Sequence, residues 1–173
     1  MIIVPNVHIL HGGVGYTDDE LGNNNIESST STNRKLQSMQ VVPTADGFID
    51  SIALYYECTD STDILVGVYD EVSGIPTNRL GLSAAVDGQT SGAEWKTYDL
   101  ISPVAITNGV AVWLAFDCED MVWRVKDSGG SHERTRSTSF GTLIMPDPYG
   151  AVDYDPPLTS RDISVYANVR YET

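Results

Sequence analysis

The sequence predicts an all-β protein, an antiparallel β-sandwich of jelly-roll type. Apolar residues occupy every second position of residues 163–171, whereas Ser164, Asn168 and Arg170 fall between them. Because strand side chains alternate between two faces, this segment is expected to be a half-buried strand with those three residues facing water. Roughly eight to ten such short runs recur between turn residues, and no helical period competes with them.

The predicted strands follow a long polar stretch. Residues 1–34 are predicted to form an N-terminal arm or long loop, because residues 11–34 are rich in Gly, Asn, Ser and Thr. The β-sandwich domain is predicted to span residues 35–173. The segments with strand character are residues 35–42, 48–57, 63–69, 82–86, 94–100, 104–107, 110–118, 121–126, 135–140 and 163–171.

Turn residues separate these segments. A turn is predicted at residues 43–47, and Gly74-Ile75-Pro76 predicts another. Residues 87–92 are mostly small and polar, which favours a connection between two weaker strands. Asn108-Gly109 tolerates positive φ angles and is a strong hairpin signal before the apolar run that follows it.

Size and charge limit the classes of function. The chain has 173 residues and a mass of 18.8 kDa, which fits one domain with a full hydrophobic core. Its 10 Lys and Arg against 24 Asp and Glu give a net charge of −14, so nucleic acid binding through phosphates is not expected. Membrane insertion is not expected either, since no apolar run approaches the ~20 residues of a spanning helix.

The first ten residues are apolar but lack the basic leader and the cleavage site of a secretion signal. Either such a signal has already been removed, or the protein is released without one, as virus structural proteins are after cell lysis. We therefore expect an extracellular or virion-surface location.

Cys58 and Cys118 are the only cysteines, and each follows a strand-like run. In the strand alternation, both occupy positions that point towards the expected core. They are either two buried free thiols or one bridge between strands, and the sequence leaves both open.

Several short motifs occur in a fixed order between residues 35 and 171. They are Gly47–Ile52, Val66–Asp70 with Ser73–Pro76, Trp95–Tyr98, Val104–Gly109 leading into Val112–Ala115, and Ile163–Ala167. Their order resembles a recurrent β-sandwich domain of secreted surface proteins, carbohydrate-active modular proteins and tailed-virus structural proteins. The resemblance implies the fold and a non-catalytic role, because the motifs consist of turns, core aromatics and strand starts.

No local frame for catalysis or nucleotide binding is present, so no enzymatic activity is predicted. No cofactor is required by the sequence, and the one candidate is structural calcium, because carboxylates in turns are hard oxygen ligands. Solvated turn carboxylates are the alternative, since none of these residues has calcium-loop spacing. The predicted ligands are Asp60, Asp63, Asp117, Glu119 and Asp120.

Trp113, Tyr149 and Tyr154 are the predicted ligand-binding residues, because sugar rings stack their C–H faces on exposed aromatic side chains. Trp113 alternates against two core-facing residues, which places it on the opposite face of its strand. The two tyrosines lie in a proline-rich loop and either contact a ligand or cover a sheet edge. Trp95 and Trp123 are assigned to the core.

Two functions are consistent with these features. The first is a non-catalytic structural or adhesion protein, such as a virus-particle decoration, fibre or filament subunit. Its arm would join it to further copies or to other structural subunits by adding a strand to a neighbouring sheet edge. The second is a carbohydrate-binding module that recognises surface glycans through exposed aromatics. The residues assigned to assembly are Ile2, Ile3, Val4, Val7, Ile9 and Leu10.

Overall fold

Eleven strands and no helix make up the described part of the chain. In this computed structural model that part comprises residues 15–31, 35–118, 122–126, 133–137, 143, 145–151 and 162–173. The strands pair antiparallel and pack as two layers, which confirms the predicted β-sandwich. They are β1 (Tyr16–Gly22), β2 (Ser29–Ser31), β3 (Lys35–Val41), β4 (Gly47–Val72), β5 (Ile75–Leu82), β6 (Val86–Ile106), β7 (Val112–Cys118), β8 (Val122–Lys126), β9 (Glu133–Ser137), β10 (Asp162–Ile163) and β11 (Val165–Glu172).

The long strand β4, with 26 residues, belongs to both layers. In the first sheet its N-terminal half lies between β11 and β6, and β1 pairs with the other edge of β11. In the second sheet its C-terminal half lies between β5 and β7, followed by β3 and β9. Strand β8 pairs with β2, with β10 and with residues 56–57 of β4.

The main core lies between the two sheets and is built from alternate residues of both. In the last strand the predicted inward residues are all buried, from Ile163 to Tyr171. Ser164 was expected to face water, and that prediction was wrong. Its side chain is fully buried, and its hydroxyl accepts a hydrogen bond from the Glu27 backbone at 3.0 Å.

A β-bulge interrupts the alternation of β4 at Asp50. Ile49 pairs with Val169 and Ser51 pairs with Asn168, so Asp50 is an extra residue between the two pairs. The bulge shifts the inward positions by one residue, and for this reason Ile49 and Ile52 both enter the core.

The sandwich begins earlier than predicted. Strands β1 and β2 lie within the predicted arm of residues 1–34, and β1 pairs with β11 along its whole length. The boundary at residue 35 was therefore wrong, because backbone pairing with β11 and the burial of Leu21 add this polar segment to the sheet. Residues 1–14 lie outside the described part of the chain.

The centre of the second sheet, residues 64–69 of β4 and 112–118 of β7, is buried on both faces. Its outer face carries the rings of Tyr69 and Trp113, which pack against Met145 and Tyr149. The Tyr69 hydroxyl donates to the Pro146 carbonyl at 2.8 Å, and the Tyr149 hydroxyl is 3.2 Å from Ser38 Oγ. Residues 145–149, hereafter the cover segment, therefore form a third layer on this sheet.

A two-residue turn joins β4 to β5. Ser73 and Gly74 both adopt positive φ angles, 56° and 78°. Positive φ at both central residues is the geometry of the type I′ hairpin, whose twist matches that of the strands. Ser73 is exposed, and a Cβ atom on Gly74 would meet nothing within 4 Å.

Two buried tyrosines share a hydrogen bond in the core. The hydroxyls of Tyr56 and Tyr98 lie 2.5 Å apart. Burial raises the pKa of Tyr98 to about 12. Burial, and then the hydrogen bond to Tyr98, raises the pKa of Tyr56 above its ordinary value. Cys58 and Cys118 are buried in the same core, and no disulfide joins them, so the bridge between strands is not formed.

We expect Tyr98→Phe to destabilise the protein by about 1–3 kcal/mol, because it leaves the buried Tyr56 hydroxyl without its partner. The double variant Tyr56→Phe/Tyr98→Phe should recover much of that loss, since neither hydroxyl is then buried alone. Urea unfolding measures the free energy of unfolding of the single and of the double variant. A double variant that is less stable than Tyr98→Phe and also less stable than Tyr56→Phe would contradict this account.

Alkaline pH should also destabilise the wild-type protein through this pair. Between pH 10 and about 12 the unfolded tyrosines have lost protons that the folded ones retain. The contribution of these tyrosines to the free energy of unfolding should therefore be constant below about pH 10 and decline as the pH rises towards 12. The same measurement on Tyr56→Phe/Tyr98→Phe is the control, and an equal decline in both proteins would exclude the tyrosines as its cause.

Candidate functional site

The outer face of the first sheet carries three aromatic rings, in which Trp95 contacts both Tyr55 and Tyr166. The ring centroids of Tyr55 and Trp95 lie 5.5 Å apart at an interplanar angle of 72°. Those of Trp95 and Tyr166 lie 4.9 Å apart at 58°. All three side chains are partly exposed. Because inclined rings in contact restrict one another, this ring cluster presents an ordered apolar surface to water.

Strand register brings the three rings together. Tyr55 lies opposite Trp95, and Tyr166 lies opposite Ala53, whose small side chain is fully buried. On the other side of Tyr166 lies Gly22, with φ at 129°. A Cβ atom on Gly22 would lie 2.8 Å from a backbone oxygen of β11 and 3.4 Å from the Cβ of Tyr166. Small residues on both sides therefore leave room for the Tyr166 ring.

Hydrogen-bonding side chains surround the ring cluster. Asn168 Nδ2 donates to Ser51 Oγ at 2.8 Å. These two residues are cross-strand partners, and their row of paired residues is the next one on this face after the row that contains Tyr166. At the two ends of that row, Glu20 and Asp99 are exposed. Burial, followed by the charge of Glu20 and a hydrogen bond to it, raises the pKa of Tyr166. Its hydroxyl therefore stays protonated at neutral pH and serves as a donor.

A second group on the same face is built around Arg170. The guanidinium donates to both carboxylate oxygens of Asp50, with Nη2 2.8 Å from Oδ1. Its Cζ lies 5.3 Å from the ring centroid of Tyr16 and 5.7 Å from that of Phe48. The hydrogen bonds to Asp50 raise the pKa of Arg170. Because this cation is paired and stacked, the Arg170 group orders the face instead of offering an uncompensated charge.

The predicted exposure of Trp113 was wrong. Its side chain does lie on the face opposite the main core, as the alternation indicated, but that face is covered and Trp113 is fully buried. A buried ring cannot stack on a sugar. Trp95, assigned to the core, lies instead on the outer face of the first sheet.

Tyr149 belongs to the cover segment and is also fully buried, so its predicted role in ligand binding was wrong. Its ring packs against Tyr69 with centroids 5.0 Å apart, and its backbone nitrogen donates to the Thr77 carbonyl at 2.7 Å. The alternative prediction was a cover over a sheet edge. Tyr149 does act as a cover, but its ring packs on the outer face of the second sheet beside Tyr69 and Trp113. Tyr154 lies outside the described part of the chain. Trp123 lies on β8, but its side chain is outside the described part.

The predicted calcium ligands are placed only in part. Asp117 is buried on β7, and Asp63 is half-buried on β4. Asp60 lies in β4, but its side chain is outside the described part of the chain. Glu119 and Asp120 lie wholly outside it. In the ranges that the structure describes, no three His, Cys, Asp or Glu side chains are grouped to hold a metal ion. Calcium binding stays a prediction.

Tyr55, Tyr166 and the polar residues beside them were not among the predicted site residues. The signal was present in β11, where Tyr166 occupies one of the outward positions between apolar residues. For Trp95 the sequence pattern alone did not separate a core position from an outward one. Its assignment depends on its pairing with Tyr55.

A scan against protein-family models found no match for the chain, and a search of curated proteins found none. In the described residues no helix has the length and apolar character needed to cross a membrane.

We expect Trp113→Ala to destabilise the fold by about 3–5 kcal/mol, as large core aromatics do when truncated. Trp113→Phe should cost clearly less, because the indole Nε1 has no hydrogen-bond partner in the described structure and the exchange removes none. Denaturant unfolding of both variants checks this. Equal losses, or a fully stable Trp113→Ala, would be inconsistent with a packed third layer.

Proposed function

We propose that this protein is a non-catalytic adhesion module that binds carbohydrate on the outer face of its first sheet. The observation that carries the proposal is the ring cluster of Tyr55, Trp95 and Tyr166, which is partly exposed and ordered by ring contacts. Large aromatic groups left on the surface of a strongly acidic chain favour a binding role, because they lower solubility without adding to the core.

The chemistry of the face suits a sugar. A pyranose has apolar C–H faces and a rim of hydroxyl groups, so its site needs flat rings beside hydrogen-bonding side chains. Trp95 supplies the largest ring, Asn168 supplies an amide, and Glu20 and Asp99 supply carboxylate acceptors. These polar groups lie within one or two rows of the rings, as the strand register requires.

The hypothesis of assembly into a virus particle or filament depends on residues 2–10, which lie outside the described residues. It stays a prediction, and it is compatible with glycan binding because a surface subunit can adhere through sugars. The ring cluster favours carbohydrate binding as the function to test first.

We expect Trp95→Ala to abolish detectable binding to a glycan array, or to weaken it by at least about 30-fold, because truncation of a central Trp typically costs 2 kcal/mol or more. Tyr16→Ala is the matched control, since Tyr16 is an exposed ring of the same sheet that belongs to the Arg170 group. It should bind like the wild type.

Thermal melts of both variants verify that the fold is retained. The proposal would be refuted by a wild-type protein that binds no glycan, or by equal binding of wild type and a folded Trp95→Ala.

Deletion of residues 1–12 tests the assembly hypothesis. The truncated protein should remain folded, because β1 begins at Tyr16, and it should lose any defined oligomer that the full chain forms. Light scattering beside a circular dichroism spectrum measures both properties. A truncated protein that assembles normally would defeat the hypothesis.

A further inference from the structure

A groove of about 570 Å³ runs beside the β6 strand of the first sheet. One side is formed by Ser83 and Ala84, in the connection that leads into β6, and by Val86, the first residue of β6. The other side is formed by four consecutive residues of β6, Lys96–Asp99. This volume is within the range of small-ligand sites.

The groove begins where the ring cluster ends. Trp95 immediately precedes Lys96, and the alternate residues Thr97 and Asp99 share the outer face with Trp95 because strand side chains repeat every second position. Thr97 and Asp99 are exposed and also line the groove. From Lys96 to Asp99 the strand spans about 10 Å, which is longer than one sugar ring.

The groove offers hydrogen-bond donors and acceptors without a strong net charge. Lys96 Nζ lies 3.7 Å from Glu94 Oε1, and its side chain is 24% exposed. Asp99 adds a second carboxylate on the outer face of this stretch. Lys96 lies opposite core residue Leu54, with Nζ 5.9 Å from the Tyr56 ring centroid, and so lines the groove from the other side of the strand. An ammonium group paired with one carboxylate, together with a second carboxylate, is suited to hydroxyl groups, whereas a polyanion would meet both carboxylates and a chain with a net charge of −14.

We infer that the ligand is an uncharged, linear polysaccharide, with one sugar unit stacked on the ring cluster and the following units in the groove. This inference rests on the proposed function and adds the ligand class and a second subsite. β-1,4-linked glucose oligomers are the suitable probe, because their equatorial hydroxyls leave both faces of each ring apolar for stacking on Trp95.

Titration calorimetry with β-1,4-linked glucose oligomers of one to six units tests the second subsite. Affinity should rise by about tenfold or more between the single sugar and the longer oligomers, because each further sugar unit adds contacts in the groove that contribute to the binding free energy. Galacturonate oligomers of the same lengths should bind more weakly. An affinity independent of length, or tighter binding of the galacturonates, would overturn the inference.

Variants of the groove separate this inference from the proposed function. Lys96→Met keeps the aliphatic stem and removes the donor, and Thr97→Val removes one exposed hydroxyl at nearly constant shape. Each should weaken binding of the longest oligomer, by roughly tenfold for Lys96→Met, and leave binding of the single sugar unchanged. Lys35→Met, the same exchange on β3 of the second sheet, should have no effect.

The two ideas fail in different ways. Oligomers that require Trp95 but bind Lys96→Met and Thr97→Val like the wild type would overturn the second subsite alone. If no glucose oligomer binds, this inference is overturned, whereas the proposed function is refuted only if the glycan array shows no binding either. If a folded Trp95→Ala binds the glucose oligomers like the wild type, both are refuted.

Discussion

Hydrogen bonding along β4 is the constraint on which the rest of the structure depends. This single strand pairs with β11 and β6 in one layer and with β5 and β7 in the other, so its register fixes how the layers lie. Each side chain of β4 is directed either into the core or onto an outer face. Ile52 and Leu54 are buried between the sheets, whereas Tyr55 takes the outward position that Trp95 meets. The bulge at Asp50 sets that parity.

The two outer faces carry similar side chains and differ in what lies over them. On the second sheet, Tyr69 and Trp113 are fully buried beneath the cover segment. On the first sheet, Tyr55, Trp95 and Tyr166 remain partly exposed. The aromatic residues of the two sheets occupy equivalent outward positions on their strands. Whether such a residue is buried or exposed to a ligand therefore depends on what long-range packing places over it.

The same distinction explains how far sequence analysis reaches. Period-two alternation is local, so it located β11 and the apolar strand around Trp113, and with them the sandwich. It also placed Trp113 on the correct face. Burial of that face depends on Met145 and Tyr149, more than thirty residues away, and no local pattern encodes such a contact. The polar strand β1 was missed because its stability comes from pairing with β11 and not from its own composition.

The tight connection between β4 and β5 has a practical consequence. Ser73 and Gly74 form a hairpin tip in the second sheet, at the opposite end of β4 from the half that carries Tyr55. Open space beside Gly74 and the exposure of Ser73 mean that extra residues there would disturb little packing. A biotin-acceptor peptide grafted at this tip would attach the molecule to a sensor chip through a single point, at the other end of β4 from Tyr55.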